Sequence, residues 1–291
     1  MPELPDLTVY QESLASRIAN RRLLRIRVLN PFLLRTAVPP LAAAEGKRVI
    51  NVGRLGKRIV LGLEGELFLV LHLMVAGRLR WDDKTPKKIT LALFEFESGT
   101  LAFTEAGTKR RASLHVVEGR SNLQAMDPGG IEIFDSDEET FRLVLLQENH
   151  TLKRSLTDPH LFAGIGNAYS DEILHRAKLS PIAMTKSLSA ENITRLYAAT
   201  KDVLNEWIAR LRAQTGEGFP EKVTAFREEM AVHGRFGKPC PACGAPVQRI
   251  VYAENETNYC ARCQTGGRIL ADRALSRLLK KSWPRSIDEL G

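Results

Sequence analysis

Four cysteines stand within 24 residues of one another, as Cys240-Pro-Ala-Cys243 and Cys260-Ala-Arg-Cys263, with 16 residues between the pairs. Each Cys-x-x-Cys turns two thiolates toward one point, and two such knuckles complete a tetrahedral sulfur site. One structural zinc ion (Zn2+) is expected there, because sulfur fills every position and none is left for water. Disulfides would need an oxidising compartment, which nothing in the sequence suggests. A redox dithiol would need one pair in a βαβ setting, so an oxidoreductase has only the spacing in its favour.

Two further groups can do chemistry. Pro2 follows Met1, and a small second residue permits removal of the initiator methionine, which exposes a secondary amine. An α-amino group has a pKa near ~8, so part of it is uncharged and nucleophilic at neutral pH. Such an amine can attack a sugar C1′ and form an iminium ion, with Glu3 beside it as acid–base partner. Residues 161–169 read Leu-Phe-Ala-Gly-Ile-Gly-Asn-Ala-Tyr. Gly164 and Gly166 let the backbone approach another group closely, and Asn167 opens a helix whose exposed amides suit a DNA phosphate. A tight helix–helix turn that needs glycine for space would look the same.

The elements that must position these groups can be read from apolar spacing. Asp6 is expected to cap a first helix, with Leu7, Tyr10, Leu14 and Ile18 at helical spacing up to Asn20. Short apolar runs follow at 24–29, 48–52, 58–63, 67–73, 89–96, 101–104 and 113–117, separated by Gly, Asn and Pro. That spacing predicts a β-sandwich or barrel. Asp127-Pro128-Gly129-Gly130 breaks the pattern as a linker. Helices are expected over 137–148, 167–177, 190–213 and 221–231, with Gly216, Gly218 and Pro220 marking a loop before the last. Between the cysteine pairs, 247–252 reads as a strand and 255–258 as a turn. Residues 270–281 read as a basic amphipathic helix with Leu275, Leu278 and Leu279 on one side.

The fold class expected is therefore α+β and multi-domain. A β-sandwich spans 1–125, a linker 126–136, a helical domain 137–235, a zinc finger 236–266 and a basic extension 267–291. No apolar run approaches a membrane span, and the acidic, proline-containing start does not read as a signal peptide. A cytoplasmic protein with no membrane partner is expected. Lys plus Arg exceed Asp plus Glu by 42 − 34 = +8, which favours polyanionic partners.

Taken together, an initial Pro-Glu-Leu-Pro, a β-sandwich, a Gly-Ile-Gly-Asn-Ala-Tyr turn and a four-cysteine finger of this spacing resemble the formamidopyrimidine-DNA glycosylase / endonuclease VIII family. The resemblance covers about residues 2–265. It implies a β-sandwich followed by a helix-two-turn-helix domain with a zinc finger, and DNA running through the cleft between them. It implies a monomer that excises oxidised bases from damaged DNA and nicks the abasic strand by β,δ-elimination, nucleoid-associated in a bacterium. By position, Pro2 is then the Schiff-base nucleophile and Glu3 the general acid. Lys57 matches a lysine on a β-loop that reaches the lesion-flanking phosphate; a solvated hairpin lysine is the alternative. Asn167 matches a phosphate-binding turn asparagine, and Lys153 a basic position near the same phosphates.

Three departures bear on substrate. The family's His-Leu-Gly-Met stretch reads His72-Leu73-Met74-Val75 here, with valine in place of the gap-filling methionine. If the segment is a strand, Met74 faces the other way. The intercalating loop reads Glu-Ala-Gly-Thr-Lys-Arg-Arg-Ala-Ser over 105–113, so Arg110 and Arg111 keep the basic role while Ala112 replaces the aromatic wedge. Inserted side chains offset part of the cost of everting a base, so single-stranded or disrupted DNA is the expected preference. In the finger, Asn255 takes the place of a phosphate-holding arginine; either Arg249 or Arg262 compensates, or the finger contacts DNA more weakly. A DNA-binding protein that has lost glycosylase activity is the competing reading.

Overall fold

The computed structural model describes residues 1–82, 88–107, 109–221, 223–252, 255–270, 278 and 284–290. The chain forms two compact units: 1–128 with 206–224, and 129–205 with 225–291. No described helix is long and apolar enough to cross a membrane.

The first unit begins with helix α1, Leu4–Ile18. Leu7, Tyr10, Leu14 and Ile18 are all fully buried, as their spacing predicts. The cap differs from expectation. Glu3, not Asp6, is the N-cap, and its N–H donates to Asp6 Oδ2 at 3.1 Å in a reciprocal capping box. Pro5 sits in the first turn, where its missing N–H costs nothing.

Eight strands follow: β1 Leu23–Val28, β2 Val49–Leu55, β3 Arg58–Leu63, β4 Leu67–His72, β5 Gly77–Trp81, β6 Thr90–Phe96, β7 Gly99–Glu105 and β8 Ser113–Glu118. They make two antiparallel four-stranded sheets, ordered β1-β6-β7-β5 and β2-β3-β4-β8. Alternate residues of each strand (Ile59, Leu61 and Leu63; Leu67, Leu69 and Leu71; Leu114 and Val116) enter one shared core with Phe94, Phe103 and the α1 side chains. The outward residues Val60, Val70 and Val117 form a smaller cluster under Leu123 and Met126, the first of them on helix α2, Arg120–Gln124. Strand β5 escaped the sequence reading because only Leu79 carries its buried apolar signal, between two arginines.

The second unit holds α3 Glu138–Leu145, α4 Leu152–Thr157 and α5 Asn167–Arg176. Helix α6, Ala190–Thr215, begins in this unit, and its residues from Glu206 onward cluster with the first. Asp137 caps α3 by accepting the Thr140 N–H at 2.8 Å. Phe141 packs tilted against Phe162 and Tyr197, with centroids 4.9 and 5.5 Å apart. The finger is the antiparallel pair β9 Gln248–Tyr252 and β10 Asn255–Tyr259, followed by α7 Ala261–Thr265. Its core joins Val232, Val247, Ile250, Tyr259 and Ile287 to the cysteines.

Two expected elements are corrected. Residues 223–231 are irregular, not helical: the N–H groups of Ala231, Val232 and His233 are taken by the Glu172 carboxylate at 2.7–2.9 Å, and Phe226 is 72% exposed. Residues 255–258 are strand, not turn, paired with β9 from Asn255 onward. The expected terminal helix over 270–281 lies outside the described residues except at Leu270 and Leu278. Arg268 and Arg285 are described, in a return segment whose Arg268↔Ser286 bridge brings Ile287 onto the finger core.

Candidate catalytic and nucleic-acid-binding sites

In the first unit, the α1 capping box buries Pro2 and leaves Glu3 only 3% exposed. The amine at Met1 sits at the mouth of this segment. Burial pushes its pKa below the ordinary 8.0; Glu3 and Asp6 oppose the shift, while Arg78 and Lys57 add to it. Lys57 occupies the two-residue turn joining β2 and β3, where Gly56 takes φ +56° and Leu55 pairs Arg58. The turn therefore brings Lys57, distant in sequence, into the electrostatic neighbourhood of the N-terminus.

Arg78, on β5, is the residue that the sequence reading missed. Its Nε donates to the Val223 carbonyl at 2.5 Å and its Nη1 to the Gly77 and Val75 carbonyls at 2.7 and 3.1 Å. Among the cations acting on the amine it has the larger effect. The only sequence signal was an arginine in a short alternating run. The loop that supplies Val223 is itself held by Arg17, whose Nη2 donates to the Glu217 and Gly218 carbonyls at 2.9 Å each. Phe219 of that loop packs against Tyr10 and Trp81.

Both proposed wedge segments differ from their sequence reading. Residues 73–76 form a tight turn closed by the Gly77 N–H on the Leu73 carbonyl at 2.9 Å. Met74 takes φ +52° there. A face swap within a strand is thus the wrong description, and the turn projects Val75, 63% exposed. Ala112, at the position of the aromatic wedge, does not project as a wedge would. It is 3% exposed in the sandwich core, and the buried Glu105 carboxylate accepts its N–H and that of Arg111. Arg110 and Arg111 are exposed, with Arg110 Nη2 on the Lys88 carbonyl at 2.7 Å.

In the second unit, Gly164 takes φ +81° and Gly166 is the N-cap of α5, which leaves Asn167 as the first helical residue. Asn167 Nδ2 donates to the Glu256 carbonyl on β10 at 2.8 Å. Lys153 Nζ, on α4, lies 2.6 Å from the Asn167 carbonyl and 2.5 Å from Asp171 Oδ1. Asn255 is exposed at the start of β10. Neither expected substitute for it is unpaired. Arg249 bonds Glu256 at 3.1 Å and lies over the Phe236 ring at 4.3 Å, and Arg262 pairs with Asp288 at 3.8 Å.

The four cysteine sulfurs all lie within 4.8 Å of one another. Four thiolates on zinc at about 2.3 Å stand about 3.8 Å apart; Cys240–Cys263 and Cys243–Cys260 are 3.9 and 3.4 Å apart. The donor set fits one structural zinc. His175, from the C-terminal end of α5, places Nε2 3.2 Å from Cys240 Sγ, an outer partner of the kind that orients a ligand. Helix α5 thus carries Asn167 at one end and a finger contact at the other.

Comparison with known proteins agrees with this arrangement. Residues 1–112 match the formamidopyrimidine-DNA glycosylase N-terminal domain, 130–216 the H2TH domain of the same enzymes, and 237–266 the zinc finger found in FPG and IleRS. A formamidopyrimidine-DNA glycosylase of Thermus thermophilus is 34% identical over 279 residues, 92% of this chain and 100% of the relative. The Lactococcus lactis Fpg in complex with DNA containing an abasic site superposes with TM-score 0.79 at 26% identity, covering 90% of this chain and 99% of that one. A point mutant of the same protein, bound to DNA containing Fapy-dG, gives TM-score 0.80 at 26% identity over 91% and 100%.

Proposed function

Because this chain belongs to the formamidopyrimidine-DNA glycosylase family, we propose that it excises oxidised bases from damaged DNA and cleaves the abasic site through the amine of Pro2. The observation that carries this reading is the gathering of the N-terminal amine, the buried Glu3 carboxylate and Lys57 in one electrostatic neighbourhood.

In the proposed reaction the Pro2 nitrogen attacks C1′, the damaged base leaves with the C1′–N bond electrons, and Glu3 supplies the proton that opens the sugar ring. The resulting iminium acidifies the C2′ protons. Loss of one of them expels the 3′ phosphate, and a second elimination expels the 5′ phosphate. Lys57 and Asn167 bind the backbone, Gly164 and Gly166 shape the turn that presents Asn167, and Arg110 and Arg111 add charge beside the lesion. Asn255 contributes a neutral contact. The amine must be free of Met1 for any of this. With Val75 as the projecting residue and Ala112 in the core, eversion from intact duplex has little help, so single-stranded or bubble DNA is the preferred substrate. We further propose a cytoplasmic monomer, nucleoid-associated in a bacterium.

The test is strand incision by protein verified to begin at Pro2, on abasic and oxidised-base oligonucleotides, single-stranded and paired. Phosphate on both sides of the gap, formed faster on the single strand, is the expected result. Intact abasic strand despite tight binding would instead establish the competing reading, a DNA-binding protein on this scaffold, which Asn255 favours. Equal or faster cleavage of duplex would remove the strand preference alone.

A further inference from the structure

Lys153 matches a basic position near the phosphates, yet its ammonium is already committed. Besides the Asn167 carbonyl it holds Asp171 Oδ1 at 2.5 Å, and the Asp171 side chain is fully buried. The other oxygen of Asp171 meets His233 Nδ1 at 2.7 Å and accepts the main-chain N–H of Asn258, on β10, at 3.1 Å. The Asn258 side chain accepts the Gly234 N–H and donates to Glu256 Oε1, both at 2.7 Å, and it is the Glu256 carbonyl that receives Asn167 Nδ2. A closed circuit therefore runs from α4 through α5 to the finger strand and back to Asn167.

Moving Lys153 to a phosphate would leave a buried carboxylate without its cation, and a contact made in solvent does not offset that loss. Asn167 keeps a second Nδ2 hydrogen for a phosphate oxygen. We propose that Asp171 is the positioning residue of the phosphate-reading turn: it consumes the Lys153 charge and ties the turn to the finger, so that the DNA backbone is met by the neutral Asn167 amide and not by Lys153. This rests on the DNA-binding reading above.

Salt dependence separates the two roles, because each phosphate neutralised by a cation steepens log K against log salt by about 0.9 on duplex and about 0.7 on single strands. The measurement is abasic-DNA affinity across a salt series for the zinc-loaded full chain. The double variant Lys153→Met with Asp171→Asn removes both charges together and avoids stranding either; its slope is expected to equal that of the parent. Asp171→Asn alone frees the ammonium, and its slope is expected to steepen by about one phosphate. A double-variant slope shallower by about 0.7–0.9, or an unchanged slope in Asp171→Asn, overturns the proposal. Failure of the parent protein to bind DNA at any salt would instead strike the DNA-binding reading itself.

Discussion

Burial, with Arg78 and Lys57 adding to it, keeps the amine at Met1 below its ordinary pKa; an amine at Pro2 held the same way would have a larger neutral fraction at neutral pH. Pro2 lies one residue further along and is buried, and its amine, once free of Met1, is expected to experience the same cations. Replacing Arg78 by Gln removes a positive charge, which raises the amine pKa. The pH–rate profile for Schiff-base formation should move to higher pH, with the rate at pH 7 reduced and that at high pH recovered. An unshifted midpoint would show that Arg78 only anchors Val223.

His72 offers a second residue-scale test. Burial, then Arg58, Lys57 and His115, lower its pKa to about 4. A histidine held neutral in the fold but titrating near 6.5 when unfolded contributes stability above that value and loses it as pH falls toward 4. The melting temperature should therefore decline from pH 6.5 to 4, and His72→Gln should flatten the decline. Sequence alone singled out Pro2, Glu3 and Lys57 as candidates, because motif and position travel together. Arg78 and His72 were not, since their roles come from strand register and from groups distant in the chain.

At the scale of elements, α5 joins the Gly-Ile-Gly-Asn turn to the finger through Asn167, Asp171 and His175. The four zinc-holding cysteines are part of the finger's small core, and metal binding supplies folding free energy to such sites. Strong chelation should therefore unfold the finger before any heating, abolish DNA binding and leave the sandwich folded, so that the remaining melt reports the sandwich alone and has a smaller amplitude than that of the loaded protein. A single unchanged melt after verified zinc removal would contradict this. Helix α1, the seven apolar runs and both cysteine knuckles were legible because burial imposes a regular period on them. Strand β5 has too few apolar residues to show one. The segment 223–231 has apolar residues but ends where the N–H groups of Ala231, Val232 and His233 go to the Glu172 carboxylate, a commitment that no local pattern records.

For the whole molecule, the basic excess of +8 and three consecutive family domains define a DNA glycosylase scaffold, and its chemistry is proposed to begin at the chain terminus. Incubation of Met1-free protein with abasic-site DNA and borohydride, followed by peptide mapping of the crosslink, addresses that claim directly. The account predicts a reduced covalent adduct on Pro2, lost when Met1 is retained. An adduct mapped to Lys57, or no adduct from protein shown to begin at Pro2, would contradict it.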